Sequence, residues 1–424
     1  MSIYKAMWTG VSGLSAESQA LGIVGDNVAN ANTVGFKMSR AMFEDVLGGA
    51  VGQNVGGGVR MNRAQQIFAQ GTMVNTGQPT DLALSGDGFF VVKGSLDGVA
   101  GNFYTRAGNF TPDADGYLVN PQGLRLQGYG VNPDGSISGR VGDLQLPSGP
   151  LSPKPTTSLE LDMNLKASEP TSVTPFDPAN PATYVQGSPV STTVYDSLGG
   201  AHTVDVYFSK TATGWEYNVT ASGDEVTGGT PGVAEVIGTG SMTFDSEGKL
   251  ASISPNPPTA TVSFNNGSTA NQAIALDFGT AGDTDGLTQN DSPTAATFVS
   301  ADGYAAGNLS GIQIDADGTV NGVYSNGENM PIGQLVVAKF ASNNGLARSG
   351  RNTWMETRAS GEALLGAPGS GGKASVVAGA LEQSNVDIAA QFVEMIAHQR
   401  AFQANSKTIT TADEMLQELN NLKR

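Results

Sequence analysis

From Leu381 to Arg424 the chain contains neither Gly nor Pro, although its 424 residues hold 57 glycines and 20 prolines. Within that stretch Ile388, Met395, Phe402, Ile409 and Leu416 recur every seven residues. A long amphipathic helix is the element that fits both the spacing and the lack of breakers. Phe392, Ile396 and Leu419 widen the apolar stripe, whereas Gln399, Ser406 and Asp413 stand in the column that a two-column coiled-coil seam would make apolar. The pattern predicts one helix running from Leu381, about 50 Å long for about 35 helical positions. So narrow a stripe on so long a helix needs more than one kind of neighbour.

The opposite end of the chain supplies a partner. Met7, Leu14, Leu21 and Val28 form a second seven-residue column, with Ile3, Val11 and Val24 beside it and Ser2 in position to cap the helix. The two termini are expected to pair. Gly10, Gly13, Gly22 and Gly25 each cost this first helix about 1 kcal/mol relative to Ala, so it should order only when buried among neighbours, which its small residues allow to approach closely. Pattern alone leaves two uses open: a helix pair that caps one monomer, or an assembly element. In the second case the candidate assembly residues are Met7, Val11, Leu14, Leu21, Val24 and Val28 at one end. At the other they are Ile388, Phe392, Met395, Ile396, Phe402, Ile409, Leu416 and Leu419.

Charge narrows the choice of partners. The formal net charge of -17 argues against nucleic acid and against anionic membrane surfaces. It is concentrated between Leu144 and Ser300, where sixteen Asp and Glu face four Lys and no Arg, as on a solvated outer domain. There is no cysteine, so disulfides, thiolate metal sites and thiol nucleophiles are excluded. No stretch is apolar enough to span a membrane, and the N-terminus, with Lys5 followed by Met7-Trp8-Thr9-Gly10, lacks the apolar core of a signal peptide. A route out of the cell would therefore have to keep the N-terminus.

Helix formers give way to Asn and Gly in Asn27–Arg40, where the first helix should end. Residues 41–80 are mixed and include the Gly-rich Gly48–Gly58, which lacks the Lys-Ser/Thr pair of a phosphate loop and reads as a flexible linker. Short strands separated by Gly-Asp, Asp-Gly and Pro-Asp turns follow from Asp81 to Val131, and the texture returns from Asn308 to Phe340. The acidic segment between them is also strand-rich, and Pro-rich stretches bound it at Leu146–Pro155 and Asp291–Pro293. The expected fold class is α+β multidomain: long N- and C-terminal helices paired in an inner coiled-coil-like domain, with nested mainly-β domains inserted between them. Residues 1–35 and 381–424 form the helical assembly domain, 36–80 and 347–380 connectors, 81–145 and 301–346 a β domain, and 146–300 an inserted acidic outer β domain.

Candidate chemistry is thin. Asp113-Ala114-Asp115-Gly116 and Asp315-Ala316-Asp317-Gly318 open like calcium loops, but Gly falls at the fourth position rather than the sixth, and Leu124 and Asn326 stand where the bidentate Glu belongs. Hairpin turns are the better reading. His398 reads as a polar residue on a helix face. His202 follows Ser197-Leu198-Gly199-Gly200 with no nucleophile elbow nearby. A pair of catalytic carboxylates is untestable among so many acids. The expectation is no enzyme, no cofactor and no metal.

The run Asn27-Val28-Ala29-Asn30-Ala31-Asn32-Thr33-Val34-Gly35-Phe36-Lys37 resembles the N-terminal signature of the bacterial flagellar axial family of rod and hook proteins. Within it the motif residues are Asn27, Asn30, Asn32, Thr33, Gly35, Phe36 and Lys37. Ser384-Asn385-Val386-Asp387-Ile388 through Gln399-Arg400-Ala401-Phe402-Gln403-Ala404-Asn405 resembles the C-terminal signature, and Asp81–Val92, Tyr104–Tyr129 and Gly322–Leu346 are similar to the shared body. Together these runs cover roughly a quarter of the chain. Rod members are generally much shorter, so the acidic insert sets this chain with the hook-forming branch. The resemblance implies export through the flagellar type III apparatus without signal-peptide cleavage, an extracellular location, and self-assembly into a curved helical tube acting as a flexible, torque-transmitting joint. It also implies rod proteins, hook cap and hook-filament junction proteins as partners. A distal rod protein with an unusual insert, or a secreted β-rich adhesin whose helices merely oligomerise, are the alternatives.

Overall fold

The computed structural model describes residues 3–47, 56–132, 134–172, 174–181 and 189–421, which fall into two compact units. The first comprises Met1–Ser148, Gly311–Val323 and Asn329–Arg424, and the second Gly149–Ser310 and Tyr324–Glu328.

The first unit begins with helix α1 (Ile3–Ala29) and ends with helix α2 (Ile388–Asn421). The two termini pair, as expected, and they do so antiparallel: Gly10 lies against Ile409, Gly13 against Asn405, Glu17 against His398 and Asn27 against Gln391. The expected Ser2 cap lies outside the described residues. Helix α2 starts at Ile388, not at Leu381. Asp387 ends the preceding extended chain, its carboxylate accepting the N–H groups of Ala389 at 2.9 Å and Ala390 at 3.2 Å, which satisfies donors that a helix start leaves free. Upstream, Ala380–Glu382 is a strand paired with Met73–Asn75. A lack of Gly and Pro permits a helix without demanding one.

The segment after α1 also differs from expectation. Strands β1 (Ser39–Leu47) and β2 (Gly56–Gln66) form an antiparallel hairpin, with Ser39 opposite Gln66 and Leu47 opposite Gly56. Their connection lies outside the described residues. The hairpin packs on α1, where Ser12 Oγ accepts the Val59 N–H at 3.2 Å. Alternating side chains on a two-stranded ribbon bury one face against a neighbour, and here that neighbour is a helix. Residues 347–380, expected as a connector, contribute strands to the β body: Thr353 pairs with Thr105, Gly366 with Val337 and Ser375 with Ser85.

That body is built on a sheet in the strand order Thr319–Tyr324, Asn329–Leu335, Arg125–Val131, Phe89–Leu96, Val99–Thr105, Thr353–Met355, Ala347–Gly350. Its central strand explains the run Phe89-Phe90-Val91-Val92. Phe90 and Val92 point into one core with Leu82, Phe103 and Leu126, while Phe89 and Val91 point into another with Tyr104, Phe340 and Trp354. A strand covered on both faces reads as continuously apolar because successive side chains point to opposite faces. The two Asp-rich loops are turns: the Asp113 carboxylate accepts the N–H groups of Asp115 and Tyr117, and Asp317 accepts that of Thr319.

The second unit holds two five-stranded sheets. One is an antiparallel meander from Val190–Tyr195 to Leu250–Ser254, and the other is centred on Ser158–Lys166. Inward residues of both, among them Leu161, Trp215, Tyr217 and Phe278, make one core. His202 is buried on this unit, its ring stacked 3.6 Å from that of Phe264 and its two nitrogens 3.0 Å from Asp196 and 2.7 Å from Glu225.

Candidate assembly surface

Packing between α1 and α2 uses a seam different from the one the apolar columns suggest. On α1 the inward residues are small: Gly10, Gly13, Ala20, Val24 and Asn27 are buried, with Glu17 half-buried among them. A Cβ on Gly13 would stand 2.6 Å from Asn405 Nδ2, and one on Gly10 2.9 Å from Ile409 Cγ1. Two of the four glycines that weaken the isolated helix, Gly10 and Gly13, are thus close-approach points of the pair, whereas a Cβ on Gly22 or Gly25 would meet nothing within 4 Å. On α2 the second seam column is Gln391, His398, Asn405 and Ala412, three residues beyond the apolar column, and not Gln399, Ser406 and Asp413, which are exposed. A seam alternates steps of three and four, and the packing selects the step of three. Its polar members are matched: Gln391 Oε1 accepts from Asn27 Nδ2 at 2.8 Å, and His398 Nδ1 lies 2.6 Å from Glu17.

The expected assembly residues therefore divide. Val24 is buried within the chain, Met7, Leu14, Leu21 and Val28 are half-buried, and Val11 is exposed. On α2, Ile388, Phe392, Ile396 and Phe402 are exposed, whereas Met395, Ile409 and Leu416 are half-buried; the Leu419 side chain lies outside the described residues. Seven residues fall short of two helical turns, so a straight helix carries the column round by about 20° per heptad. Ile388 consequently faces outward while Ile409 touches α1. Ile409, one of the candidate assembly residues, already makes a contact with α1 inside one chain. Ile388, Phe392 and Ile396, 45%, 49% and 51% exposed, form a part of the stripe left open among the described residues.

The motif at residues 27–37 joins the helix pair to the β body. Asn27 exchanges two hydrogen bonds with the Ser39 backbone, at 2.9 and 2.7 Å. Asn30 bonds Asp26 and receives the Thr33 hydroxyl, while Asn32 is exposed. Gly35 has φ +68, and its N–H donates to the Glu382 carbonyl at 2.7 Å. A side chain there would meet the Ala107 nitrogen at 2.5 Å. Phe36 is buried. Lys37 reaches the Glu382 carboxylate at 2.6 Å and the Ala69 carbonyl at 2.8 Å. Glu382 also accepts the Gly71 N–H at 2.8 Å and Arg106 at 3.3 Å. Asn385 adds three bonds, to Met38, Ile67 and Ala69. Burial pulls both Lys37 and Arg106 below their ordinary ranges, and Glu382 opposes that shift without cancelling it. Sequence reasoning singled out Lys37 but missed Glu382 and Arg106. Glu382, followed by Gln383 and Ser384, carries no local mark of burial.

A paired helical stem with an exposed apolar stripe, tied by polar motifs to a β body, is the arrangement of a structural subunit of the flagellar axial class. Residues 7–37 match the family described as flagella basal body rod protein, 83–162 the flagellar hook protein FlgE/F/G D1 domain, 160–304 the flagellar basal body protein FlaE D2 domain, and 377–422 the flagellar basal body rod FlgEFG protein C-terminal region. The flagellar hook protein FlgE of Escherichia coli (strain K12) is 37% identical over 418 residues, which span 97% of this chain and 98% of that one. That of Salmonella typhimurium is 38% identical over 419 residues with the same coverage, and that of Borreliella burgdorferi 34% over 457 residues, spanning 99% of each. The crystal structure of Helicobacter pylori flagellar hook protein FlgE2 shares the fold, with a TM-score of 0.51 at 15% identity over 72% of this chain and 98% of that one. The chain belongs to the flagellar hook protein family, whose role is structural.

Proposed function

We propose that the chain polymerises through its terminal helices into the curved tube of the hook, a flexible joint that carries torque from rod to filament. The observation that carries this reading is the stripe Ile388, Phe392 and Ile396, exposed in the single chain although the helix bearing it is firmly seated on α1. Burying three such side chains at every subunit contact would supply several kcal/mol, since each is worth about 1.5–3 kcal/mol when fully covered. A head-to-tail contact of this kind, repeated with a rotation that does not close, yields a tube rather than a ring. The polar acidic second unit suits the outside of such a tube, where contacts have to slide as it bends. Export through the flagellar type III apparatus without signal-peptide cleavage, growth beneath a hook cap, and ends bound by rod and hook-filament junction proteins complete the proposal.

Negative-stain microscopy of the polymerised chain tests it. Curved tubes are expected, and Phe392→Asp should abolish them while leaving the monomer's circular dichroism unchanged. Straight rods would assign the chain to a rod segment instead, and the absence of any tube from the unmodified chain would remove the assembly reading.

A further inference from the structure

Helix α2 carries two apolar surfaces that the chain cannot bring together by itself. One is the ridge of Ile388, Phe392 and Ile396. The other is a mainly apolar groove of about 330 Å³ between α1, β1 and α2, lined by Ala20, Ile23, Ala41, Phe43 and Ala397 and also by the polar Arg40, Glu394 and His398. Phe392 and Ile396 each stand two residues from Glu394, and two residues turn a helix through about 200°. Ridge and groove therefore face opposite ways from one rigid helix. Phe43, on the groove wall, is 41% exposed, and its ring centroid lies 6.2 Å from that of His398, which Glu17 holds in place.

We propose that the groove receives the ridge of a second copy of this chain, with Phe392 as the inserted side chain. The inference rests on the polymer reading and specifies its contact. A second copy is the occupant because two different, non-overlapping surfaces on one subunit are what a head-to-tail polymer requires: each copy offers a ridge to one neighbour and a groove to the other, and neither is exhausted by pairing. The groove is of a size for large apolar side chains and its walls come from three elements that are mutually fixed, so it is preformed. An aromatic anchor entering such a pocket is the usual source of most of an interface's binding energy. The β1–β2 hairpin then acquires a role that its position on α1 alone does not explain, as one wall of the intersubunit socket.

The absence of cysteine from the chain makes the test clean. A variant carrying Ile396→Cys, on the same ridge one turn from Phe392, and Ala41→Cys keeps the Phe392 anchor; polymerised and then oxidised, it should run as a ladder of covalent dimers, trimers and longer species. Each single-cysteine variant should give no ladder, and the unpolymerised double variant no cross-link. Separately, Ala397→Trp, at an exposed helix position, fills the groove from its own side. It should raise the critical concentration for polymerisation about tenfold or more with the helical signal of the monomer retained. Tubes that form normally from the double-cysteine variant yet yield no ladder, or normal assembly of Ala397→Trp, would overturn the socket while leaving the polymer reading intact. Failure of the unmodified chain to polymerise would count against that reading instead.

Discussion

The Lys37 ammonium lies 2.6 Å from the Glu382 carboxylate with neither side chain exposed. The two residues belong to opposite ends of the sequence, and the carboxylate they share with Arg106 and the Gly71 N–H is the point at which both chain ends meet the β body. Two buried cations on one buried anion make the anion the member that cannot be removed. Glu382→Gln should destabilise the first unit by roughly 3–5 kcal/mol, because it leaves buried cations uncompensated. Urea unfolding of the full chain measures this. Lys37→Met combined with Glu382→Gln should be less harmful than the sum of the single changes, and strict additivity would show that the pair is not coupled.

The seam between α1 and α2 makes a second prediction. Gly13→Leu drives a branched side chain into the space of the Asn405 amide and should weaken the helix pair by about 1–3 kcal/mol, seen as faster hydrogen exchange along α1 with the β core unaffected. Gly13→Ala made together with Asn405→Ala removes the overlap. That double change should be tolerated and should gain back part of the propensity of about 1 kcal/mol that Gly forfeits in a helix.

Acid stability of the second unit follows from Asp302 and Asp196. Burial by itself would raise both carboxyls, but Thr157, Ser158 and Lys154 around Asp302, and His202, Asn266, Gly200 and Leu198 around Asp196, hold each at about 2, below the ordinary 3.8. A carboxyl depressed in the folded state contributes stability above its unfolded value and loses it as pH falls through the folded one. Thermal melts of the second unit should therefore be level above about pH 4 and fall between about pH 4 and about pH 2. Asp302→Asn should lower the plateau and flatten that fall, and an unchanged slope would remove Asp302 from the account.

Domain independence can be tested by deletion. The core residues Leu82, Phe90, Val92, Leu118, Leu126 and Leu335 all lie outside 149–310, and Leu161, Trp215, Tyr217 and Phe278 all lie inside it. A chain in which 149–310 is replaced by a short Gly/Ser linker should keep a cooperative β-type transition and polymerise into tubes of altered curvature or stiffness. Loss of that transition would mean that the first unit needs the second in order to fold.

What residue order determined by itself is the long-range plan. Chain ends with a seven-residue apolar period read as helices, and short apolar runs between Asp-Gly turns read as strands, because those signals act within a few residues of where they are written. The motif at 27–37 was legible as a unit for the same reason. The start of α2 at Ile388 was decided instead by Asp387 capping and by a strand partner, Met73–Asn75, hundreds of positions away. The hairpin of β1 and β2 hid in a Gly-rich, mixed stretch because its stability comes from lying on α1 rather than from its own pattern. Tertiary structure also decided the roles of the two ends. Column spacing cannot say which flank of a helix its partner takes, so the small and polar residues Gly13, Asn405, Asn27 and Gln391 became the seam within the chain, and the more apolar Phe392 and Ile396 were left facing outward. Glu382 reads as an ordinary acid until folding places Lys37 and Arg106 around it, since the free energy of a buried charge is set by neighbours that only the folded chain brings together.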